Sequence, residues 1–147
     1  MKLANSIRVS VFAKPEENEE KIREKLISFF PFSLEEENIS INRSRATGFS
    51  QRQISIYQVD MSKERHTNLF LKFINSKLDA QQRCMLLSQE NRLDENLDFF
   101  IRFSKEHLLN NEFMLTDCGD CYHIRISIAA FPRKREVALE VAKKIFS

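Results

Sequence analysis

The stretch Tyr122-His-Ile-Arg-Ile-Ser-Ile-Ala-Ala-Phe-Pro-Arg-Lys-Arg-Glu136, continued by Val137-Ala-Leu-Glu-Val-Ala-Lys-Lys-Ile145, decides the fold. From Tyr122 to Ala130 apolar and polar residues alternate, the period of a strand with one buried face. Pro132 suits the first turn of a helix, where its missing N–H costs nothing. Val137, Val141 and Ile145 then recur at helical spacing with Ala138 and Ala142 beside them, which marks a buried stripe. Between strand and helix lies Arg133-Lys134-Arg135. In a first helical turn, where the dipole favours anions, each of these cations costs about 0.3–1 kcal/mol. Free backbone N–H groups also point outward there, so a polyanion would be held by donors and charges together. The plainer reading is a solvated basic tip paired with Glu136 and Glu140.

Working towards the N-terminus, the same two periods recur. Leu97, Phe99, Ile101 and Phe103 alternate with Asp98, Phe100 and Arg102, a second strand of this kind, followed by a short helical segment over Lys105 to Asn110 and an extended Phe113-Met-Leu115. Ser6 to Lys14 is a third, with Ile7, Val9, Val11 and Ala13 on one face and Arg8, Ser10 and Phe12 on the other. Pro15 opens a helix with Glu16, Glu17 and Glu19 in its first turn, buries Ile22, Leu26, Phe29 and Phe30, and ends at Pro31. Asn38 to Arg45 and Arg52 to Asp60 read as a hairpin with Thr47-Gly-Phe-Ser50 at its tip. Ser62 caps a helix carrying Leu69, Phe70, Phe73 and Ile74. Asp79 and Gln82 have capping-box spacing for another, which would bury Cys84, Leu86 and Leu87. Asp94-Glu-Asn96 is a turn. Hairpins mixed with single crossovers imply an α+β fold, a mostly antiparallel sheet with helices packed on one face.

At 147 residues with only two glycines, the chain reads as one compact domain spanning 1–147. Thirteen phenylalanines against two tyrosines and no tryptophan give that domain a Phe-rich core. The net charge of +2 says little, but its distribution says more. Glu16, Glu17, Glu19, Glu20, Glu24 and Glu35 to Glu37 form an acidic end, while the arginines lie elsewhere, as expected for an anion-seeking face. No stretch is long and apolar enough to cross a membrane, and no signal peptide is visible, so the expected location is the cytoplasm and the three cysteines are expected to be reduced.

With helices on one face, the strand phases point Arg8, Ser10, Phe12, Phe100, Arg102, His123, Arg125 and Ser127 to the other. Arginines interleaved with aromatic rings suit RNA, guanidinium to phosphate and ring to base. A dimer or other protein interface on the same face is the alternative. The hairpin adds Arg43, Arg45 and Arg52 around its tip, a basic finger that can grip a strand. Cys118-Gly-Asp-Cys121 supplies half a zinc site, and no second pair exists to close it. There is no phosphate loop, nucleophile elbow or His pair at ligand spacing, so neither catalysis nor a cofactor or metal is expected.

Three segments, Ile7-Arg-Val-Ser-Val-Phe12, Phe99-Phe-Ile-Arg-Phe-Ser-Lys105 and Ile124-Arg-Ile-Ser-Ile-Ala-Ala-Phe-Pro-Arg-Lys-Arg-Glu136, occur in an order that resembles the family of small archaeal RNA-binding, exosome-associated proteins. That resemblance implies a fold like the large-subunit ribosomal protein that contacts 5S RNA, and it implies RNA binding. Where the family's hairpin tip tends to read Gly-Asn-Pro-Ile, this chain has Gly48-Phe-Ser-Gln-Arg-Gln-Ile54. The expectation is therefore a non-enzymatic RNA-binding protein, accessory to RNA processing or degradation by the exosome or to ribosome-linked machinery. Arg133, Lys134 and Arg135 would grip phosphates, Arg102, Lys105, Arg125 and Arg8 would extend that surface, Phe100 would stack a base, and Arg43, Arg45 and Arg52 would add the hairpin. A protein-interaction or dimerisation module is the alternative.

Overall fold

Strands β1 (Ala4–Ala13), β2 (Ile41–Thr47), β3 (Gln53–Met61), β4 (Asp98–Ser104) and β5 (Cys121–Ile128) form one antiparallel sheet in the order β2-β3-β1-β5-β4. Helices α1 (Glu19–Ile27), α2 (Glu64–Lys77), α3 (Ala80–Ser88), α4 (Lys105–Leu109) and α5 (Arg135–Ile145) complete the α+β fold among the described residues. The computed structural model describes residues 1–147 apart from the side chain of Phe49, so that ring, expected at the hairpin tip, lies outside the described residues. By their contacts the residues fall into two units. The first takes Met1–Ile7, Met61–Ile101 and Ile124–Ser147, and the second takes Arg8–Asp60 and Arg102–His123.

The core of the second unit is aromatic. Phe29 meets Tyr122 at 5.2 Å, Phe113 at 5.7 Å and Phe103 at 5.8 Å between ring centroids, and Phe103 meets Phe113 edge-on at 5.4 Å. Tilted and edge contacts of this kind satisfy ring quadrupoles as well as burying area. Tyr122 is wholly enclosed, so its hydroxyl needs a partner and donates to the Ile22 carbonyl at 2.7 Å. Burial and then the charge of Glu17 push its phenol well above the ordinary range. The core of the first unit takes Phe70, Leu71, Ile74, Leu86, Ala138 and Ala142 from its helices, with Phe99 and Phe146 at 5.5 Å.

Alternation fixed the strands well, and helix ends less so. Asp79 and Gln82 form the expected capping box, each side chain bonded to the other's backbone N–H. Ser62 does not cap α2; Lys63 occupies that position without a side-chain bond. α1 starts at Glu19 behind an Asn18 cap because Glu16 and Glu17 sit in a preceding turn, closed by Glu17 N–H to Lys14 O at 3.0 Å. It ends at Ile27, before Pro31, although Phe29 and Phe30 are buried as expected. In α3 only Leu86 is buried and Cys84 is exposed, since its burial stripe is narrow. Pro132 lies ahead of α5, which begins at Arg135 behind a Lys134 cap.

Replacing Asp79 by Ala removes one acceptor of the capping box and should lower unfolding free energy by about 1 kcal/mol. Urea denaturation of wild type and variant checks this, and an unchanged midpoint would count against a stabilising box.

A candidate nucleic-acid interface

On β1 of the second unit, Val9, Val11 and Ala13 are buried while Arg8, Ser10 and Phe12 are partly open, so the strand period sets one face against solvent. β3 does the same with Ile54 and Ile56 open and Ser55, Tyr57 and Val59 buried. Ser10, Phe12, Ile54 and Ile56, with Arg102, Gly119, Cys121 and His123, line a depression of about 220 Å³. Its lining is mostly apolar, with Phe12, Ile54 and Ile56, and includes Arg102 and His123. The Arg102 guanidinium donates to the Asp117 carbonyl at 3.1 Å, which fixes its direction without neutralising it. Burial pushes the Cys121 thiol up, so this lining group stays protonated. Arg8, at the same face, is ion-paired to Asp60 at 2.7 Å.

Lys105 belongs elsewhere, and its expected role on the RNA surface is corrected. Its side chain is 2 % exposed. The ammonium donates to the Phe12 carbonyl at 2.6 Å and to Glu17 at 3.1 Å, and pairs with Asp120 at 2.6 Å. Burying such a cation without compensation would cost several kcal/mol, so oxygens of three residues are drawn to it. Burial alone would raise the Asp120 carboxyl, but the bond and charge of Lys105, helped by Lys14, bring it below the usual range. The ammonium also lies 4.4 Å from the Phe12 ring centroid, a cation–π contact.

The basic hairpin meets the acidic end directly, contrary to a segregated anion-seeking face. Register puts Arg43 opposite Tyr57 and Arg45 opposite Ser55, on the buried side of β3. Arg43 pairs with Glu19 at 2.7 Å and bonds Ser55 at 3.2 Å, and Arg52 pairs with Glu16. Tyr57 donates to Glu19 at 2.5 Å. The Tyr57 hydrogen bond first, then Arg43, hold the Glu19 carboxyl down to about 2 from an ordinary 4.5. Two hairpin arginines are therefore occupied by carboxylates, whereas Arg45 has no carboxylate partner among the described residues.

In the first unit, β4 leaves Asp98 and Phe100 partly open beside buried Phe99 and Ile101, and β5 does so with Arg125 and Ser127. Burial and the neighbouring Asp94 raise the Asp98 carboxyl, against the opposing pull of Arg125 and Arg133. Of the basic triplet Arg135 is the first residue of α5, Lys134 is its cap and Arg133 lies ahead of it, so two of the three cations stand at the positive end of the helix dipole. Arg133 donates to Asn96 O at 3.2 Å, and Arg135 to Leu93 O at 2.8 Å and Glu90 O at 2.6 Å. Lys134 is exposed. Sequence reasoning missed Phe131, which is 96 % exposed beside them; an apolar residue abutting Pro and three cations was the available signal.

Over residues 6–129 the chain matches the model of a protein family described as RNA binding. It belongs to that family. It is 26% identical over 142 residues to the RNA-binding protein PAB1135 of Pyrococcus abyssi, spanning 96% of this chain and 92% of that one. Among solved structures, protein AF2318 from Archaeglobus fulgidus superposes with a TM-score of 0.83 at 26% identity, covering 99% of both chains. Mth689 from Methanothermobacter thermautotrophicus gives 0.79 at 26% identity, again over 99% of both. Among the described residues no helix is long and apolar enough to cross a membrane.

The Glu19 carboxyl gives this surface a pH signature. Its folded pKa lies below its ordinary value, so its contribution to stability is present above about 4.5 and lost as pH falls towards 2. The melting-temperature gap between wild type and Glu19→Gln should therefore shrink over that window; a gap that stays constant down to pH 2 would show that the carboxylate is not held by Tyr57 and Arg43.

Proposed function

We propose that this protein binds RNA, with the open face of the second unit as a contact surface. The observation that carries the reading is the depression lined by Phe12, Ile54 and Ile56 together with Arg102 and His123. An apolar lining accepts a base face and a fixed guanidinium accepts a phosphate, the two groups that every nucleotide offers together. Membership of the RNA-binding family supports the same ligand class. In the first unit Arg125, Phe100 and the exposed Arg133, Lys134 and Arg135 are the groups of matching chemistry. Arg45 is the hairpin arginine left for RNA, since Arg43 and Arg52 are offset by Glu19 and Glu16.

The role is binding rather than catalysis. The depression offers stacking surface and donors, and its Cys121 thiol is held in the protonated, unreactive form. The resemblance of the three strand segments to archaeal exosome-associated proteins supports a place as an accessory to RNA processing, degradation or ribosome-linked machinery.

Substituting Arg102 by Gln should weaken RNA binding and reduce the log–log salt slope by about 0.7–1, one phosphate contact. Arg43→Gln should leave that slope unchanged while lowering the melting temperature. Fluorescence titrations of labelled RNA at several salt concentrations measure both. Equal slopes for wild type and Arg102→Gln would remove the depression from the RNA surface. No RNA binding by wild type at low salt, with dimerisation lost in Phe12→Leu, would turn the face into a protein interface.

A further inference from the structure

Phe131 is a fully presented aromatic ring: 96 % exposed, it forgoes the burial that a side chain of this size ordinarily gains. The backbone around it is tied down. Before it, Ala129 N–H donates to Leu3 O at 3.0 Å. After it, Lys134 N–H donates to Pro132 O at 2.8 Å, and the Arg133 and Arg135 guanidinium groups donate to Asn96, Leu93 and Glu90 carbonyls. Carbonyl acceptors satisfy these donors and leave the charges in place. A braced loop thus offers an apolar ring beside Arg133, Lys134 and Arg135, all exposed.

The neighbouring charges choose the occupant. An apolar protein patch would have to desolvate three cations to reach the ring, a costly step without carboxylates opposite. A nucleotide brings a π-face for the ring and phosphates for the cations. We propose that Phe131 stacks on an unpaired nucleobase, with Arg133 and Lys134 against the flanking phosphates, so that the ligand is single-stranded RNA. A continuous duplex hides its base faces and offers this ring nothing. The inference rests on the RNA-binding reading and adds the strandedness and the residue that recognises it.

The chain has no tryptophan, so Phe131→Trp installs the one indole in the protein. Titrating that variant with single-stranded RNA should quench its emission, while blunt-ended duplex RNA should leave it unchanged. Phe131→Ala should weaken single-strand binding about tenfold with an unchanged salt slope, because stacking releases no counterion. Its melting temperature should match wild type, since the ring packs against nothing. If wild type binds RNA but Phe131→Ala binds equally well and the indole does not respond, the inference fails and the RNA reading stands. If wild type binds no RNA, both fail. An indole that shifts to the blue on anionic vesicles, or on raising protein concentration without RNA, assigns the ring to a lipid surface or a second copy and overturns the inference.

Discussion

The Lys105 ammonium is the constraint on which the second unit depends. An ammonium removed from water to 2 % exposure must be met by oxygens on several sides. Here they come from the end of β1 through Phe12 O, from the turn before α1 through Glu17, and from the turn before β5 through Asp120. One cation therefore joins the stretch around Phe12 and Glu17 to the distant stretch that holds Asp120 and α4, whose first residue it is. Removing one partner of such a cluster typically costs about 3–5 kcal/mol, against about 0–1 for an exposed pair.

That cluster also explains features that look unrelated. α1 begins late because Glu17, a good first-turn residue by charge, turns its carboxylate to Lys105 and accepts the Lys14 N–H at 2.8 Å. Asn18 is then left to cap the helix, accepting from Lys21 N–H at 3.2 Å. On the open face, the Phe12 ring is approached by the same ammonium at 4.4 Å. A buried charge thus holds a ring that lines the open face. Order of this kind lowers the entropy lost when a ligand arrives.

What the sequence made legible follows from period and local chemistry. Strands β1, β4 and β5 were found from alternation, the hairpin pair from the turn at Thr47-Gly-Phe-Ser50, and the Asp79 capping box from spacing, because all depend on residues a few positions apart. Arg43 with Glu19, Arg52 with Glu16 and Lys105 with Asp120 were not legible, since tertiary packing of helices and turns and not spacing brings them together. The acidic end looked like a separate surface, yet its Glu16 and Glu19 are counterions of the hairpin. Arg133 and Lys134 were placed inside the first turn of α5, which begins at Arg135, because Pro132 is compatible with a first turn without requiring it. Phe131 went unread for a further reason: alternation predicts which apolar residues are buried, and a loop residue has no period.

The charge that matters for a polyanion is then not the net +2 but the set of cations left without counterions. A carboxylate partner removes a cation's field, as Asp60 does for Arg8 and Glu19 for Arg43. A carbonyl partner does the reverse: it occupies N–H donors, fixes the direction of the guanidinium and leaves its charge intact. Arg102 on Asp117 O and Arg135 on Leu93 and Glu90 O are held in this way. Such side chains have already lost much of their rotamer freedom, so a phosphate that meets them orders little more. A chain of nearly balanced charge can therefore present strong, directed anion sites, provided its acids are consumed elsewhere, and here the hairpin and the Lys105 cluster consume Glu16, Glu17, Glu19 and Asp120.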